Sequence, residues 1–363
     1  MSLIERLKKA STSDVAEVLS QSAFMNNKEV TRTNIPALNI ALSGTIDGGL
    51  SSGLTVLAGP SRHFKSNLGL IMVASYLRKF PDAVCIFVDT EFGITPGYLK
   101  SMGVDPERVL HIKCESVERM KFEMANQLRA LRDAKAARKK NDPHDRVIFF
   151  IDSIGNAASI KEIDDAENEK SVADMTRAKQ LKSLFRIVTP YFTILDIPCV
   201  AINHTYETQE MFSKTVMSGG TGIMYSCDTA IIIGRQQEKD GKELLGYNFI
   251  LNIEKSRYVK EKSKIPLTVL FEGGVSPYSG LLDIAVEMNW VQKPSNGWFS
   301  RACVDLETGE FTVEDTKYRR ADTDSVDFWK PLISNENFRQ AIKDKFQLGA
   351  MTDPGSTDVN LFD

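Results

Sequence analysis

The stretch that most constrains this chain is Leu54-Thr-Val-Leu-Ala-Gly-Pro-Ser-Arg-His-Phe-Lys-Ser-Asn67, an apolar run, a polar turn and the opening of a second apolar segment. It reads as a strand whose turn opens a helix near Lys65, continuing to Phe80 through Leu68, Leu70, Ile71, Met72, Val73 and Leu77. A helix apolar on most of its faces packs against a sheet. A strand-to-helix turn gathers successive backbone N–H groups and the positive helix end at one point, and such a point holds an anion. Residues Gly59, Pro60, Ser61, Arg62, His63, Phe64, Lys65, Ser66 and Asn67 are therefore the candidate cradle for the phosphates of ATP. Lys65 would reach the β- and γ-phosphates, and Ser66 would give a hydroxyl to Mg²⁺. The pattern G-x-x-x-x-G-K-[ST] has glycine where Phe64 stands, so only Gly59, Lys65 and Ser66 match. An ordinary strand-turn-helix with an exposed lysine is the competing reading.

A chain of 363 residues has room for one large α/β core and a smaller domain. The hydrophobic fraction of 42% and charged fraction of 26% are those of a globular protein in water. No apolar run approaches the roughly 20 residues of a membrane span, so no membrane partner is expected. Met1–Ala10 is amphipathic and charged, unlike a signal peptide, and the expected location is the cytoplasm. Cys85, Cys114, Cys199, Cys227 and Cys303 are scattered without CxxC spacing and read as reduced, buried thiols rather than disulfides or a zinc site. The net charge of −3 argues against a basic coat for duplex DNA, so any nucleic-acid contact must come from a local surface.

From about residue 35 the chain alternates strand and helix, which implies an α/β fold with a mostly parallel twisted sheet covered on both faces. Strands are expected at Leu54–Ala58, Ala83–Asp89, Val109–Lys113, Val147–Asp152, Cys199–Asn203 and Ala230–Gly234. Helices are expected at 65–80, 95–102, 116–140 and 170–188, and Tyr247–Glu254 with Leu267–Phe271 reads as an antiparallel pair on one sheet edge. Beyond Asp283 the pattern changes to a helix over 281–293, a hairpin within Trp298–Phe311 and helices within 326–348, a small α+β C-terminal domain. The organisation is thus an N-terminal helix and arm over 1–34, a core over 35–284, the C-terminal domain over 285–350 and a disordered tail over 351–363. The arm at 21–30 carries Phe24 and Met25, either tucked on its own core or docked on a neighbouring subunit.

Two further sites follow buried strands. Asp152 ends Val147-Ile-Phe-Phe-Ile-Asp152, at the carboxyl end where open α/β sheets bind ligands, and can hold Mg²⁺ through water opposite Ser66. Asp89 and Glu91 follow Ile86-Phe-Val, and a carboxylate there can orient or deprotonate a water facing the γ-phosphate. The two acids lie two residues apart and either could serve.

The phosphate loop, Glu91, the Val147–Ser153 strand, Cys199-Val-Ala-Ile-Asn-His204 and Ser218-Gly-Gly-Thr-Gly222 occur in the order seen in RecA-family recombinases. The chain resembles that family, its bacteriophage members above all, over nearly its whole length. Met175–Tyr191 and Ala201–Val216 are the densest stretches. The resemblance implies a RecA-type P-loop ATPase core that forms helical filaments on single-stranded DNA, pairs it with homologous double-stranded DNA and exchanges strands. It implies that Glu91 is the catalytic glutamate, that Tyr98 stacks on adenine, and that Asn203-His204 senses the γ-phosphate, where bacterial RecA has glutamine in place of His204. It further implies that Lys255 and Arg257 reach across a subunit interface to the neighbour's ATP. DNA would be held by loops at 156–170 and 205–219, through Arg177, Tyr206, Phe212, Lys214, Gly219 and Gly220. Phe24 would anchor the arm on the next subunit. A mediator and a single-strand-binding protein are expected as partners, and the host cytoplasm as the location if a phage encodes the chain. The alternatives are a RecA-like hexameric helicase and a non-hydrolysing regulatory filament protein.

Overall fold

Runs such as Val147-Ile-Phe-Phe-Ile-Asp152 are apolar at every position because both faces of their strand are covered. In the computed structural model, which describes residues 2–11, 16–21, 29–138, 145–169, 176–208, 215–241 and 243–349, three such strands are buried throughout. Phe24, Met25, Phe212, Lys214 and the 351–363 tail lie outside the described residues.

In chain order the elements are α1 (Leu3–Ala10), α2 (Pro36–Ser43), β1 (Gly53–Ala58), α3 (Lys65–Lys79), β2 (Val84–Asp89), α4 (Pro96–Ser101), β3 (Val109–Lys113), α5 (Val117–Ala137), β4 (Val147–Asp152), α6 (Ile160–Glu167), α7 (Thr176–Ile194) and β5 (Pro198–Asn203). They continue with β6 (Thr205–Glu207), β7 (Thr215–Met217), α8 (Thr221–Ser226), β8 (Thr229–Asp240), β9 (Glu243–Ser256), β10 (Lys264–Leu270), β11 (Gly274–Val275) and α9 (Leu281–Glu287). The C-terminal part holds β12 (Val291–Ser295), β13 (Trp298–Val304), β14 (Phe311–Val313), β15 (Tyr318–Arg319), α10 (Val326–Ser334) and α11 (Glu336–Phe346).

One nine-stranded sheet has the order β3-β2-β4-β5-β1-β8-β9-β10-β11. Neighbours from β3 to β8 pair in parallel and those beyond β8 pair antiparallel, the expected edge pair included. From central β1 the chain crosses to β2, beyond β5 and β4, and crevices at such reversals of strand order take ligands. Register sets Asp89 opposite Asp152 and Ala58 opposite Asn203, so four carboxyl ends form one row.

Alternating side chains divide between two apolar layers. Leu57, Ile148, Phe150, Val200 and Ile202 pack with α2 and α3, and Val56, Phe149, Ile151 and Ala201 pack with Met120 and Met124 of α5 and Leu184 and Phe185 of α7. Each large side chain so buried contributes about 1.5–3 kcal/mol. Trp290, Phe299, Phe328, Trp329 and Phe338 of the C-terminal part belong to the first of these layers. The five cysteines are free. Among the described residues no helix is long and apolar enough to cross a membrane.

Several boundaries differ from expectation. Helix α7 runs through Pro190 to Ile194 because Val188 and Phe192 are buried on the sheet while Pro190 is exposed. The helix expected over 281–293 stops at Glu287: Asn289 takes a left-handed φ of 64° and Trp290 N donates to Ala285 O, turning the chain into β12. A two-residue Asn296-Gly297 turn then joins β12 to β13, a hairpin signal that precedes the Trp298–Phe311 hairpin formed by β13 and β14.

Candidate active site

The phosphate loop leaves β1 at Ala58. A Cβ on Gly59 would lie 3.0 Å from Ile233 O on β8, so a side chain there would crowd the neighbouring strand. Arg62 and Phe64 take φ of 61° and 58°, left-handed values that cost a non-glycine residue about 1 kcal/mol. Neighbours hold them there. The Phe64 ring stacks on Phe249 of β9, with centroids 5.5 Å apart, and Arg235 Nη1 donates to Arg62 O at 3.1 Å while its guanidinium lies over Tyr247. Lys65, the first residue of α3, is 6% exposed and Nζ donates to Pro60 O at 2.7 Å, which rules out the exposed lysine of the competing reading. Burial lowers its pKa, opposed by the charges of Asp152 and Glu91.

Asp152 lies beside the loop, 3% exposed. Burial pushes its carboxyl up to about 7; a hydrogen bond from Ser66 works against this, and Glu91 and Asp89 add to it. Its Oδ1 is buried without a hydrogen-bond partner, an arrangement costly unless something cationic meets it. A hydroxyl and an orphaned carboxylate oxygen are hard donors that fit Mg²⁺, which takes few protein ligands and completes its shell with phosphate and water. The described residues hold no cluster of three or more His, Cys, Asp or Glu that would make an all-protein metal cage.

The structure separates the two acids that the sequence leaves equivalent. Asp89 is buried, its Oδ1 accepting from Glu91 N at 3.0 Å and Phe92 N at 2.8 Å and its Oδ2 lying 2.9 Å from His111 Nε2. Glu91 instead presents its carboxylate beside the loop, where a hydrogen bond from His204, Nε2 to Oε1 at 3.2 Å, lowers its pKa against the opposing effect of burial. His204 Nε2 is also 3.4 Å from Ser153 Oγ, and Thr90 Oγ1 accepts from Ser153 N at 3.0 Å. A Cβ on Gly155 would fall 2.2 Å from His204 Cδ2, so the imidazole has its place because residue 155 is glycine.

His204 begins the stem of a second site. Asn203 Oδ1 accepts from His204 N and Asn203 Nδ2 donates to Ser218 O at 2.9 Å, and β6 and β7 pair just beyond. Tyr206 on this hairpin is exposed, and Gly219 and Gly220 follow β7 with φ of 89° and 75°. Tyr98 on α4 lies beside Asn67 at the start of α3, and burial raises its pKa.

Two expected outward-reaching cations are engaged within the chain. Arg177 donates to Ala157 O at 2.7 Å, Ile154 O at 3.1 Å and Gly155 O at 2.7 Å, so the guanidinium ties α7 to the segment after β4. Lys255 Nζ donates to Met224 O, Tyr225 O and Cys227 O, closing the C-terminus of α8. Arg257 is 64% exposed with Nε 2.7 Å from Asp228 Oδ1. It borders a groove of about 470 Å³ with Lys182, Arg186 and Tyr225. Sequence reasoning missed His111, Gly155, Asp228 and Arg235; only the strand-end position of Gly155, just past Asp152, could have pointed to one of them.

A buried loop lysine, a strand-end aspartate beside the helix-opening serine and a glutamate just past the adjoining strand define a phosphate-loop nucleoside triphosphatase on a RecA-type sheet. Residues 278–342 match the family model described as Bacteriophage T4, Recombination and repair protein, C-terminal domain. The chain is 59% identical over 349 residues to the Recombination and repair protein of Enterobacteria phage T4, covering 96% of this chain and 87% of that one. It is 24% identical to the RecA proteins of Leifsonia xyli subsp. xyli and Mycolicibacterium smegmatis, over 90% of this chain in each case and 84% and 86% of theirs. The chain belongs to the UvsX family of recombination and repair proteins, within the RecA-type recombinases. It is accordingly a DNA-dependent ATPase of the recombination machinery, and nucleotide binding with a metal and DNA binding in filaments go with the family.

Proposed function

We propose that the chain assembles as a helical filament on single-stranded DNA, binds ATP with Mg²⁺ between subunits, pairs the coated strand with homologous double-stranded DNA and uses hydrolysis to release the product. The observation that carries this reading is that Glu91, beside Lys65 and Asp152, is hydrogen-bonded to His204, the residue at the stem of the β6–β7 hairpin. The nucleotide site and the expected DNA loop thus share one side chain.

In this reading Gly59 through Asn67 wrap the phosphates, Lys65 neutralises charge on the β- and γ-oxygens and Tyr98 supports the adenine. Ser66 and Asp152 hold Mg²⁺, which when bound neutralises developing phosphate charge. Glu91 orients the attacking water and takes its proton. Arg257 acts on the neighbour's nucleotide as a cation delivered in trans, with Lys255 holding the end of α8 behind it. Tyr206, Phe212, Lys214, Gly219 and Gly220 face DNA, aromatic groups stacking on bases and backbone N–H groups taking phosphates, which gives sequence-tolerant binding. The division into an arm, core, C-terminal domain and tail at residues 34, 284 and 350 belongs to the same proposal, as do a mediator, a single-strand-binding partner and a location in the host cytoplasm.

ATP hydrolysis by the purified protein with and without single-stranded DNA tests the reading. Strong stimulation is expected, because DNA would assemble the shared active sites. DNA binding without hydrolysis in either condition would assign the chain to the regulatory filament proteins, and closed rings in electron micrographs would assign it to the helicases.

A further inference from the structure

A glutamate that orients water must have its carboxylate held to within a few tenths of an ångström, and His204 alone does not fix the backbone from which Glu91 projects. That backbone is the turn after β2, and its hydrogen bonds converge on one side chain. Asp89, 1% exposed, accepts from both Glu91 N and Phe92 N through Oδ1. Phe92 takes a left-handed φ of 56° and is exposed, so its own side chain does not anchor the turn in the core. The carbonyl of Asp152 takes the N–H of Thr90 at 2.9 Å, joining the same turn to the strand of the expected metal site.

The other oxygen of Asp89 is held by His111 of the edge strand β3, Nε2 to Oδ2 at 2.9 Å. The ring is held from its face as well: it stacks on Phe87, with centroids 5.2 Å apart and an interplanar angle of 23°, and Phe87 packs on Phe150 of β4. The buried carboxylate therefore cannot rotate without losing three hydrogen bonds, and a buried acceptor left unmade is expensive. We infer that Asp89 and His111 are a positioning pair that fixes the Glu91 turn and thereby sets the rate of nucleotide hydrolysis; the inference rests on the catalytic reading of Glu91. Neither side chain touches the nucleotide. His111 acts through Asp89, and Asp89 acts through the N–H groups of residues 91 and 92.

Three variants of the full chain test this. His111→Phe keeps a ring on Phe87 and removes the donor, His111→Gln restores a donor without the ring, and Glu91→Gln removes the catalytic carboxylate. In DNA-stimulated ATP hydrolysis, His111→Phe is expected to lower kcat about ten-fold. Its KM for ATP and DNA affinity should stay near wild type, its thermal midpoint should fall by a few degrees because the buried Asp89 Oδ2 loses its donor, and His111→Gln should recover most of both losses. Wild-type kcat in His111→Phe, with Glu91→Gln inactive, overturns the positioning role and leaves the catalytic reading standing. Full turnover in Glu91→Gln overturns the catalytic reading itself. If His111→Gln regains thermal stability but not kcat, or if both variants lose DNA affinity in step with kcat, the pair serves folding or assembly and the inference fails.

Discussion

The imidazole of His204 lies so close to the backbone of Gly155 that a Cβ on residue 155 would fall 2.2 Å from Cδ2. The segment beneath it cannot easily yield, since Arg177 holds the carbonyls of Ile154, Gly155 and Ala157. Gly155→Ala should therefore move the imidazole and break its contact with Glu91. DNA-stimulated hydrolysis is expected to fall about 100-fold, the penalty of a displacement near 1 Å in a catalytic constellation. Titration with a fluorescent ATP analogue should show nucleotide affinity little changed, because the phosphate loop is untouched.

Phe64 sits in the left-handed region where the usual phosphate loop has glycine, and its ring stacks on Phe249. Phe64→Gly relieves about 1 kcal/mol of backbone strain but removes a half-buried ring whose packing contributes about 2–3 kcal/mol. The variant should be less stable by roughly 1–2 kcal/mol, read as a lower urea midpoint. A stability gain would mean that the stack contributes little and that the loop is held by Arg235 instead.

The fold was legible wherever periodicity or composition speaks. Val147–Asp152 is apolar throughout because it is covered on both faces, and the alternation of such runs with helices already implies a parallel sheet. Lys65, Ser66, Asp152 and Glu91 were legible because strand ends of an open sheet converge in space whatever separates them in sequence. What a side chain does with its hydrogen bonds was not legible. Asp89 and Glu91 look equivalent two residues apart, yet one is consumed by backbone N–H groups and the other is presented to the site. Arg177 is expected at phosphate from its place near the start of the helix after the first loop, and only the fold shows three carbonyls meeting at its guanidinium. The helix expected over 170–188 runs on through Pro190, because burial of Phe192 outweighs the one backbone bond the ring removes.

A hydrogen bond from His204 holds the Glu91 carboxyl below its ordinary value of 4.5. The native state thus binds this proton less tightly than the unfolded chain does. The resulting stability is fully present above about pH 4.5 and is lost as pH falls through the lowered native value. Glu91→Gln lacks this contribution, so the gap between its urea midpoint and that of the wild type should narrow as pH drops from about 5 through 4 and below. The gap should be under about 1 kcal/mol, since the side chain is 33% exposed and the pair is screened by water. A gap that widens in acid would show that His204 is not the partner that matters.

Lys255 and Arg257, two residues apart on β9 and beyond it, are held in opposite ways, and this separates their roles. The Lys255 ammonium spends its donors on the carbonyls of Met224, Tyr225 and Cys227, so it secures α8 within its own subunit. Lys255→Ala leaves helix-end carbonyls without that partner and should cost about 2 kcal/mol of stability. Arg257 is largely exposed and, among the described residues, is tethered through Nε to Asp228, a contact worth under about 1 kcal/mol at the surface. Arg257→Ala should therefore fold as well as wild type and bind ATP, yet lose about 10³-fold in DNA-stimulated hydrolysis if its guanidinium serves the neighbour's phosphates. Mixing subunits makes the test decisive. Arg257→Ala subunits retain Glu91 and Glu91→Gln subunits retain Arg257, so an interface between one of each can hold a complete site when the two groups come from different copies. Hydrolysis by the mixture, above the sum of the two inactive proteins, is the expected result. A mixture no more active than its parts would place both groups in the same subunit's site and remove Arg257 from the interface.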